Sequence, residues 1–168
     1  DLGTLAAMGI TNVELRALPN VGIISTGDEL VDASEPVSAG QIRDVNQPML
    51  ASACREVGAD VKLSGIIRDE KSDIRAALSN ALEICDLILI SGGTSAGKMD
   101  VLPELITEMG ELLVHGVAAK PGKPTIVGRI AAKSIFGLPG NPVAAFFMFY
   151  LFARPLICSM LGTAVTGI

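Results

Sequence analysis

The sequence predicts an α/β fold, a three-layer α/β/α arrangement around a mostly parallel sheet. Three observations carry that prediction. Apolar, β-branched runs alternate with stretches whose apolar residues recur every three or four positions, as strand–helix units feeding a parallel sheet do. The first run, residues 21–25, is apolar on both faces, as a strand covered on both sides must be. The runs end in polar or glycine-rich turns, and parallel sheets bind ligands beyond the carboxyl ends of their strands.

Residues 1–19 read as a connecting piece: Leu2, Leu5, Ala6 and Met8-Gly9 mark the end of a helix, and Val13-Glu14-Leu15 a short extended segment before Pro19. The chain opens on Asp1 without a methionine and is expected to be part of a longer protein. In that reading residues 1–19 are a linker or the end of a preceding domain, 20–162 one catalytic domain and 163–168 a tail. The strand at 21–25 breaks into Thr26-Gly27-Asp28-Glu29-Leu30, and the loop to Arg43, with Pro36 and Gly40, has no periodicity. Asp44-Val45-Asn46-Gln47-Pro48 opens a helix to Val57; Met49, Leu50, Ala53, Cys54 and Val57 share one face and Gly58 stops it. Residues 60–67 read as the second strand, ending in Arg68-Asp69-Glu70. The second helix covers 72–83, with Ser72 as N-cap and Ile74, Ala77, Leu78, Ala81 and Leu82 as its apolar stripe.

Residues 87–91 form the third strand and 101–109 its helix. Beyond Gly110 the pattern changes to short strands at 112–119, 125–128 and 134–138. The last ends in Leu138-Pro139-Gly140-Asn141-Pro142, where Asn141 suits an N-cap and Pro142 the first helical position. Residues 143–161 are almost continuously apolar, but Arg154 and Pro155 interrupt them; they read as a buried helix rather than a bilayer span.

A chain of 168 residues, 49% hydrophobic and 18% charged, can bury a sizeable core. Its net charge of -5 argues against a general nucleic-acid binder. Cys54, Cys85 and Cys158 lack C-x-x-C spacing and read as small buried residues in a reducing cytoplasm, and no signal peptide is visible.

The strand at 87–91 leads into Gly92-Gly93-Thr94-Ser95-Ala96-Gly97-Lys98-Met99-Asp100, which fits three patterns. As a P-loop, G-x-x-x-x-G-K, it has Met99 where Ser or Thr should hold magnesium, and it follows the third strand rather than the first. As a nucleophile elbow, G-x-S-x-G around Ser95, it needs a base, and the one histidine is His115; the acids Asp100 and Glu104 start the departing helix and are poorly placed to orient it. As an anion cradle it uses converging backbone N–H groups and a helix start, and it has chemistry around it. Asp28, Glu29, Asp69 and Asp100 stand at strand ends on the same expected rim. Carboxylates beside phosphates need a cation between them, which is the constellation of a magnesium-dependent phosphate site. Lys120-Pro121-Gly122-Lys123-Pro124 supplies the basic counterpart, its prolines and glycine presetting the backbone between two lysines.

Five ordered motifs then resemble one family. Ser25-Thr26-Gly27-Asp28-Glu29-Leu30, Asp44-Val45-Asn46, Ser91-Gly92-Gly93-Thr94-Ser95-Ala96-Gly97, Lys120-Pro121-Gly122-Lys123-Pro124 and Leu138-Pro139-Gly140-Asn141-Pro142 are similar, in this order, to the central domain of the molybdopterin molybdenumtransferases of the MoeA/gephyrin E-domain type. The resemblance covers about residues 18–162 and implies a MogA/MoeA-like molybdopterin-binding fold. It implies molybdopterin, presented as its adenylate, and molybdate as substrates, with Mg2+ assisting release of AMP as molybdate enters the dithiolene. Glu29, Asp69, Asp100, Lys120 and Lys123 match catalytic positions, and Asp28, Glu29 and Asp100 would hold the metal. Substrate would be bound by Thr26, Gly27, Asp44, Asn46, Ser91, Gly92, Gly93, Thr94, Ser95, Gly97, Pro121, Gly122, Pro139, Gly140 and Asn141.

Two positions depart from the family: Lys98 stands where members often carry an acid, and Gly116 where some have a lysine. The full enzymes carry further domains and dimerise, with a site completed across subunits, so a homo-oligomer is implied and the domain alone is expected to bind better than it turns over. Two alternatives stay open: a MogA-like molybdopterin adenylyltransferase, which shares the glycine loop, and a non-catalytic molybdopterin-binding scaffold. Neither reading needs a nucleic acid or a membrane.

If the glycine loop is a cradle, Ser95→Ala retains most AMP release in a turnover assay of the full-length protein; loss of nearly all activity would restore the nucleophile reading.

Overall fold

The computed structural model describes residues 1–92 and 101–164. Its elements are α1 (Leu2–Ala7), β1 (Asn20–Thr26), β2 (Leu30–Val31), β3 (Ile42–Arg43), α2 (Asn46–Val57), β4 (Asp60–Ile67), α3 (Lys71–Ile84) and β5 (Leu87–Gly92). After the undescribed stretch come α4 (Val101–Met109), β6 (Glu111–His115), β7 (Ile126–Ile130), β8 (Lys133–Leu138) and α5 (Pro142–Met148). A π-helical turn, Phe149–Ala153, then leads into α6 (Arg154–Leu161). Among the described residues the main sheet runs β4-β1-β5-β8-β7-β6, and β2 and β3 make a separate two-stranded ladder. The first four strands of that order are parallel, and β7 and β6 are antiparallel additions at one side.

Side-chain alternation along the central strands builds two cores, one on each face. Val21 and Ile23 of β1, Leu87 and Leu89 of β5, and Phe136 and Leu138 of β8 point to one side. They meet Leu50, Ala53 and Cys54 of α2, Met148 of α5, Phe149 of the π turn and Ile157 of α6. Ile24, Ile88, Ile90 and Ile135 point to the other, onto Ala77, Leu78 and Ala81 of α3 and Leu102 and Ile106 of α4. Helices on both faces of one sheet give the expected three layers. Gly22 keeps the second face tight: a Cβ there would lie 3.0 Å from Cys85 Sγ.

Local signals decide most boundaries. Gly58 ends α2 at φ 102°, and Asn141 caps α5 by accepting the Ala144 N–H at 3.1 Å, with Pro142 at the first position. Elsewhere the structure revises the sequence reading. Helix α2 starts at Asn46 rather than Asp44. Helix α3 starts at Lys71 with Glu70 in the cap position, and the Glu70 carbonyl accepts both the Asp73 and the Ile74 N–H. Ser72 therefore lies inside the helix, its hydroxyl donating to Asp73 Oδ1 at 3.3 Å. The strand expected over 112–119 stops at His115, because Gly116, at φ 87°, turns the chain. Residues 13–15 form no strand, while the aperiodic loop after Leu30 supplies β2 and β3, paired in parallel.

The C-terminal helical run, Pro142–Leu161, is long and apolar enough to cross a bilayer by length and composition, and 39% of its apolar window is buried inside the protein, so the helix expected to be buried is only partly so. Ala145, Met148, Phe149, Ala153 and Ile157 pack into the first core, while Val143, Phe146 and Phe147 remain exposed. The π turn shifts the helical phase at Phe149, and downstream of it Arg154 lies 5.4 Å from the Tyr150 ring centroid.

Cys54, Cys85 and Cys158 are free thiols, all buried. Burial pushes Cys54 up to about 12 and Cys85 upward as well, so neither is a thiolate nucleophile near neutral pH.

Ile88 lies at the centre of β5 with no exposed surface. Ile88→Ala should cost about 3 kcal/mol, read from the urea midpoint at unchanged m-value; a loss below about 1 kcal/mol would contradict the close packing of the second core.

Candidate functional site

Strand register brings the expected loops to one edge. Thr26 of β1 sits beside Ile67 of β4 and Gly92 of β5, and Ser91 sits beside Leu138 of β8. The turns after these four parallel strands therefore leave the sheet together. Because β7 runs antiparallel to β8 with Ile126 opposite Gly137, the connection over residues 116–125 also starts at this edge. From β1 the chain steps outward to β4 through α2 on one face, then returns past β1 to β5 through α3 on the other. Such a switch opens a crevice at the carboxyl ends of the two neighbouring strands, here β1 and β5.

A cleft of ≈ 970 Å³ occupies this edge. From the predicted set it brings together Thr26, Glu29, Asn46, Ser91, Gly92, Lys120, Pro121, Gly122, Lys123, Pro139, Gly140 and Asn141. Gly27, Asp28, Asp44 and Asp69 do not line it. Gly93, Thr94, Ser95, Gly97 and Asp100 lie outside the described residues.

The floor is set by close backbone approach. Ser25 and Ser91 are fully or almost fully buried, with their hydroxyls 3.4 Å apart. Gly92 is at φ 100°, and a Cβ there would fall 2.0 Å from the Thr26 carbonyl oxygen, so no other residue fits without moving the end of β1. A Cβ on Gly140 would stand 3.7 Å from Gly92 Cα, which puts the two turns side by side. Asn46 joins them from α2: its Nδ2 donates to the Gly140 carbonyl at 2.9 Å. Asp44, beneath it, caps α2, its Oδ1 accepting the N–H groups of Asn46 at 2.9 Å and Gln47 at 3.2 Å. The remaining acceptors, Asp44 Oδ2 and Asn46 Oδ1, are buried with no hydrogen-bond partner among the described residues, a polar cost located next to the cleft.

The basic wall is a pinned loop. Val117 N–H donates to the Lys123 carbonyl at 2.9 Å, and the buried Thr125 donates to the Gly122 carbonyl from both its N–H (3.0 Å) and its hydroxyl (2.6 Å). Gly122 lies against Met148, where a Cβ would come 2.4 Å from the methionine Cε. The Lys120–Pro121 peptide is cis. These contacts fix the backbone and leave the heads of Lys120 and Lys123 exposed at the cleft.

The acids are divided. Glu29 lines the main cleft. Asp69 lines a smaller recess beside it, with Thr26, Gly92 and Val101. Asp28 links the two turns, its Oδ1 accepting the Asp69 N–H at 3.2 Å, while the Gly27 N–H donates to the Ile67 carbonyl at 3.2 Å. Among the described residues no three acids, cysteines or histidines gather closely enough to hold a metal by themselves. His115 is not among the cleft-lining residues.

Sequence reasoning missed the apolar part of the wall. Leu30, Ile42 and Val143 line the cleft, and Ile42 and Val143 are 56% and 71% exposed. Val143, directly after the Asn141-Pro142 cap, was open to inspection; Ile42 was not, because only the β2–β3 pairing carries it to the site.

A family model described as "Probable molybdopterin binding domain" matches residues 22–158. A molybdopterin molybdenumtransferase of Haemophilus influenzae is 35% identical over 162 residues, which span 96% of this chain and 40% of that protein. A crystal structure of a molybdopterin biosynthesis MoeA protein from Pyrococcus horikoshii superposes with a TM-score of 0.87 at 39% identity, over 95% of this chain and 40% of that one. A crystal structure of a molybdopterin biosynthesis protein from Mycobacterium abscessus shares the fold, with a TM-score of 0.68 at 18% identity over 86% of this chain and 94% of that one. The chain thus spans about 40% of the length of the curated relatives it matches.

Gly92→Ala tests the floor. It should lower the unfolding free energy by about 3 kcal/mol, from left-handed strain plus the clash with Thr26. An unchanged urea midpoint would mean that β1 and β5 do not meet as closely as this.

Proposed function

The chain belongs to the molybdopterin-binding domain family, and on that premise we propose that its cleft binds adenylated molybdopterin and, in the full-length protein, inserts molybdate into the dithiolene with release of AMP. The observation that carries this reading is that one cleft is lined both by Lys120 and Lys123 and by the Ser91-Gly92 and Gly140-Asn141 turns. The substrate carries phosphates, and the incoming group is an oxyanion. A pinned pair of cations facing closely spaced backbone turns suits both.

In this reading the turn at Ser91-Gly92, continued through Gly93, Thr94, Ser95 and Gly97, cradles the terminal phosphate of the pterin together with Gly140 and Asn141. Thr26 and Pro139 shape the floor, Gly27 turns the chain directly after Thr26, and Asp44 and Asn46 keep that floor in place. Lys120 and Lys123, presented by Pro121 and Gly122, neutralise phosphate or molybdate. Glu29 and Asp28, with Asp100, would hold Mg2+; its coordination habits favour this, because Mg2+ takes one or two carboxylates and completes its shell with phosphate oxygens and water. When bound, the cation withdraws charge from the phosphoanhydride and eases departure of AMP. Asp69, in the adjoining recess, is the further acid available to orient the attacking oxygen. The three buried free thiols suit a reducing cytoplasm, and the relatives' greater length leaves room for the domains of a dimer.

The test is AMP release by the full-length protein given adenylated molybdopterin, MgCl2 and molybdate. Release that needs Mg2+ and is stimulated by molybdate supports the reading. Incorporation of AMP from ATP would make the protein an adenylyltransferase, and binding without release a scaffold. In the active protein, replacing both Lys120 and Lys123 by alanine should lower kcat/KM about a hundredfold without moving the urea midpoint; activity within about twofold of wild type would remove the basic loop from the site.

A further inference from the structure

The recess beside the cleft is narrow, ≈ 10 Å³, about the room for one water. Asp69, ahead of α3, forms one side of it, and Val101 and Leu102, in the first turn of α4, form the other. The recess thus adjoins both helix starts, with Thr26, Ile90 and Gly92 from the sheet completing its lining. On the outer surface Lys71 and Glu104 bridge those two starts, and Arg75 and Glu108 extend the cluster toward the far end of α4. Lys71 Nζ lies 2.6 Å from Glu104 Oε1 and 2.7 Å from Glu108 Oε1, and Arg75 pairs with the second oxygen of Glu108.

Neither helix gains from this pattern by itself. Lys71 and Arg75 are like charges four residues apart on α3, and Glu104 and Glu108 are like charges four apart on α4; each such pair is unfavourable in an isolated helix. Lys71 also puts a cation at a helix N-terminus, against the dipole. The two patterns become favourable only when they face one another. The carboxylates of Glu104 and then Glu108 hold the Lys71 ammonium above its ordinary range, and Lys71 and then Arg75 hold Glu108 below the usual carboxylate range. The side chains are 37–54% exposed, so the pairs contribute little to global stability. Burial of Leu102, Leu105 and Ile106 already keeps α4 on the sheet. What the four charges add is register along the helix axis.

We propose that Lys71, with Arg75, is a positioning residue: it locks the first turn of α4 to the start of α3 and so sets the separation of Asp69 from Val101 beside Thr26 and Gly92. This rests on the functional reading above in that the recess adjoins the reacting groups. Lys71 touches neither cleft nor recess, so it affects turnover rather than substrate binding.

The experiment uses the full-length protein, its K71E variant and the charge-swapped K71E/E104K variant. K71E should lower kcat for AMP release about tenfold with KM within about twofold of wild type, and the swap should recover most of the loss. Amide hydrogen exchange over residues 101–109 should rise in K71E and fall back in the swap. An unchanged kcat in K71E, or a loss that the swap does not recover, overturns the proposal. If the wild-type protein releases no AMP, the functional reading fails by itself; exchange then decides the positioning role, and unchanged exchange in K71E overturns it.

Discussion

The contact on which the rest of the structure depends is the approach of Gly92 to the Thr26 carbonyl. It needs a residue without a side chain, in a left-handed conformation, at the last position of β5. Where that condition holds, β1 and β5 stay in register to their carboxyl ends and the turns beyond them start from the same level. The buried Ser25 and Ser91 hydroxyls lie one layer below. The Gly140 turn lies against Gly92, and Asn46 holds its carbonyl from the start of α2. A side chain on Gly92 would separate the strands where the cleft begins, so one glycine links sheet geometry to site geometry.

Around this frame the charges are sorted by loop. The chain is acidic overall, with net charge -5, yet among the described residues its main cleft is lined by Lys120 and Lys123 and by one carboxylate, Glu29. Asp69 is set apart in the recess, with Asp28 bridging to its backbone. An anion in the cleft therefore shares it with two lysines, and a cation would mediate between phosphate and the acids Glu29 and, in the recess, Asp69. Apolar Leu30, Ile42 and Val143 complete the wall and suit the flat body of a heterocycle.

Much of this was legible in the residues. The continuous apolar run Leu87-Ile88-Leu89-Ile90 marks a buried strand, the Asn141-Pro142 pair marks a helix start, and helix α4 has the bounds that its pattern predicts. Most signals that act over one turn or one pleat were read correctly; Ser72, which suits an N-cap but lies inside α3, was not. What failed depends on partners distant in sequence. Nothing local shows that β7 turns back along β8 and so delivers Lys120 and Lys123 to the same edge as Gly92. Nor does local sequence show that Ile42 reaches the cleft through a two-residue ladder. The π turn at Phe149 escaped for the same reason: the uniformly apolar run carries no mark of the phase shift that packing imposes.

On the proposed function, the cleft receives the phosphate end of a molybdopterin between the basic loop and the two glycine turns. A crystal structure of the protein with adenylated molybdopterin tests this most directly. Phosphate oxygens are expected within hydrogen-bonding distance of the Lys120 or Lys123 ammonium and of backbone N–H groups at Gly92 or Gly140. Phosphates bound away from this edge of the sheet, with the Lys120–Lys123 loop untouched, would contradict it.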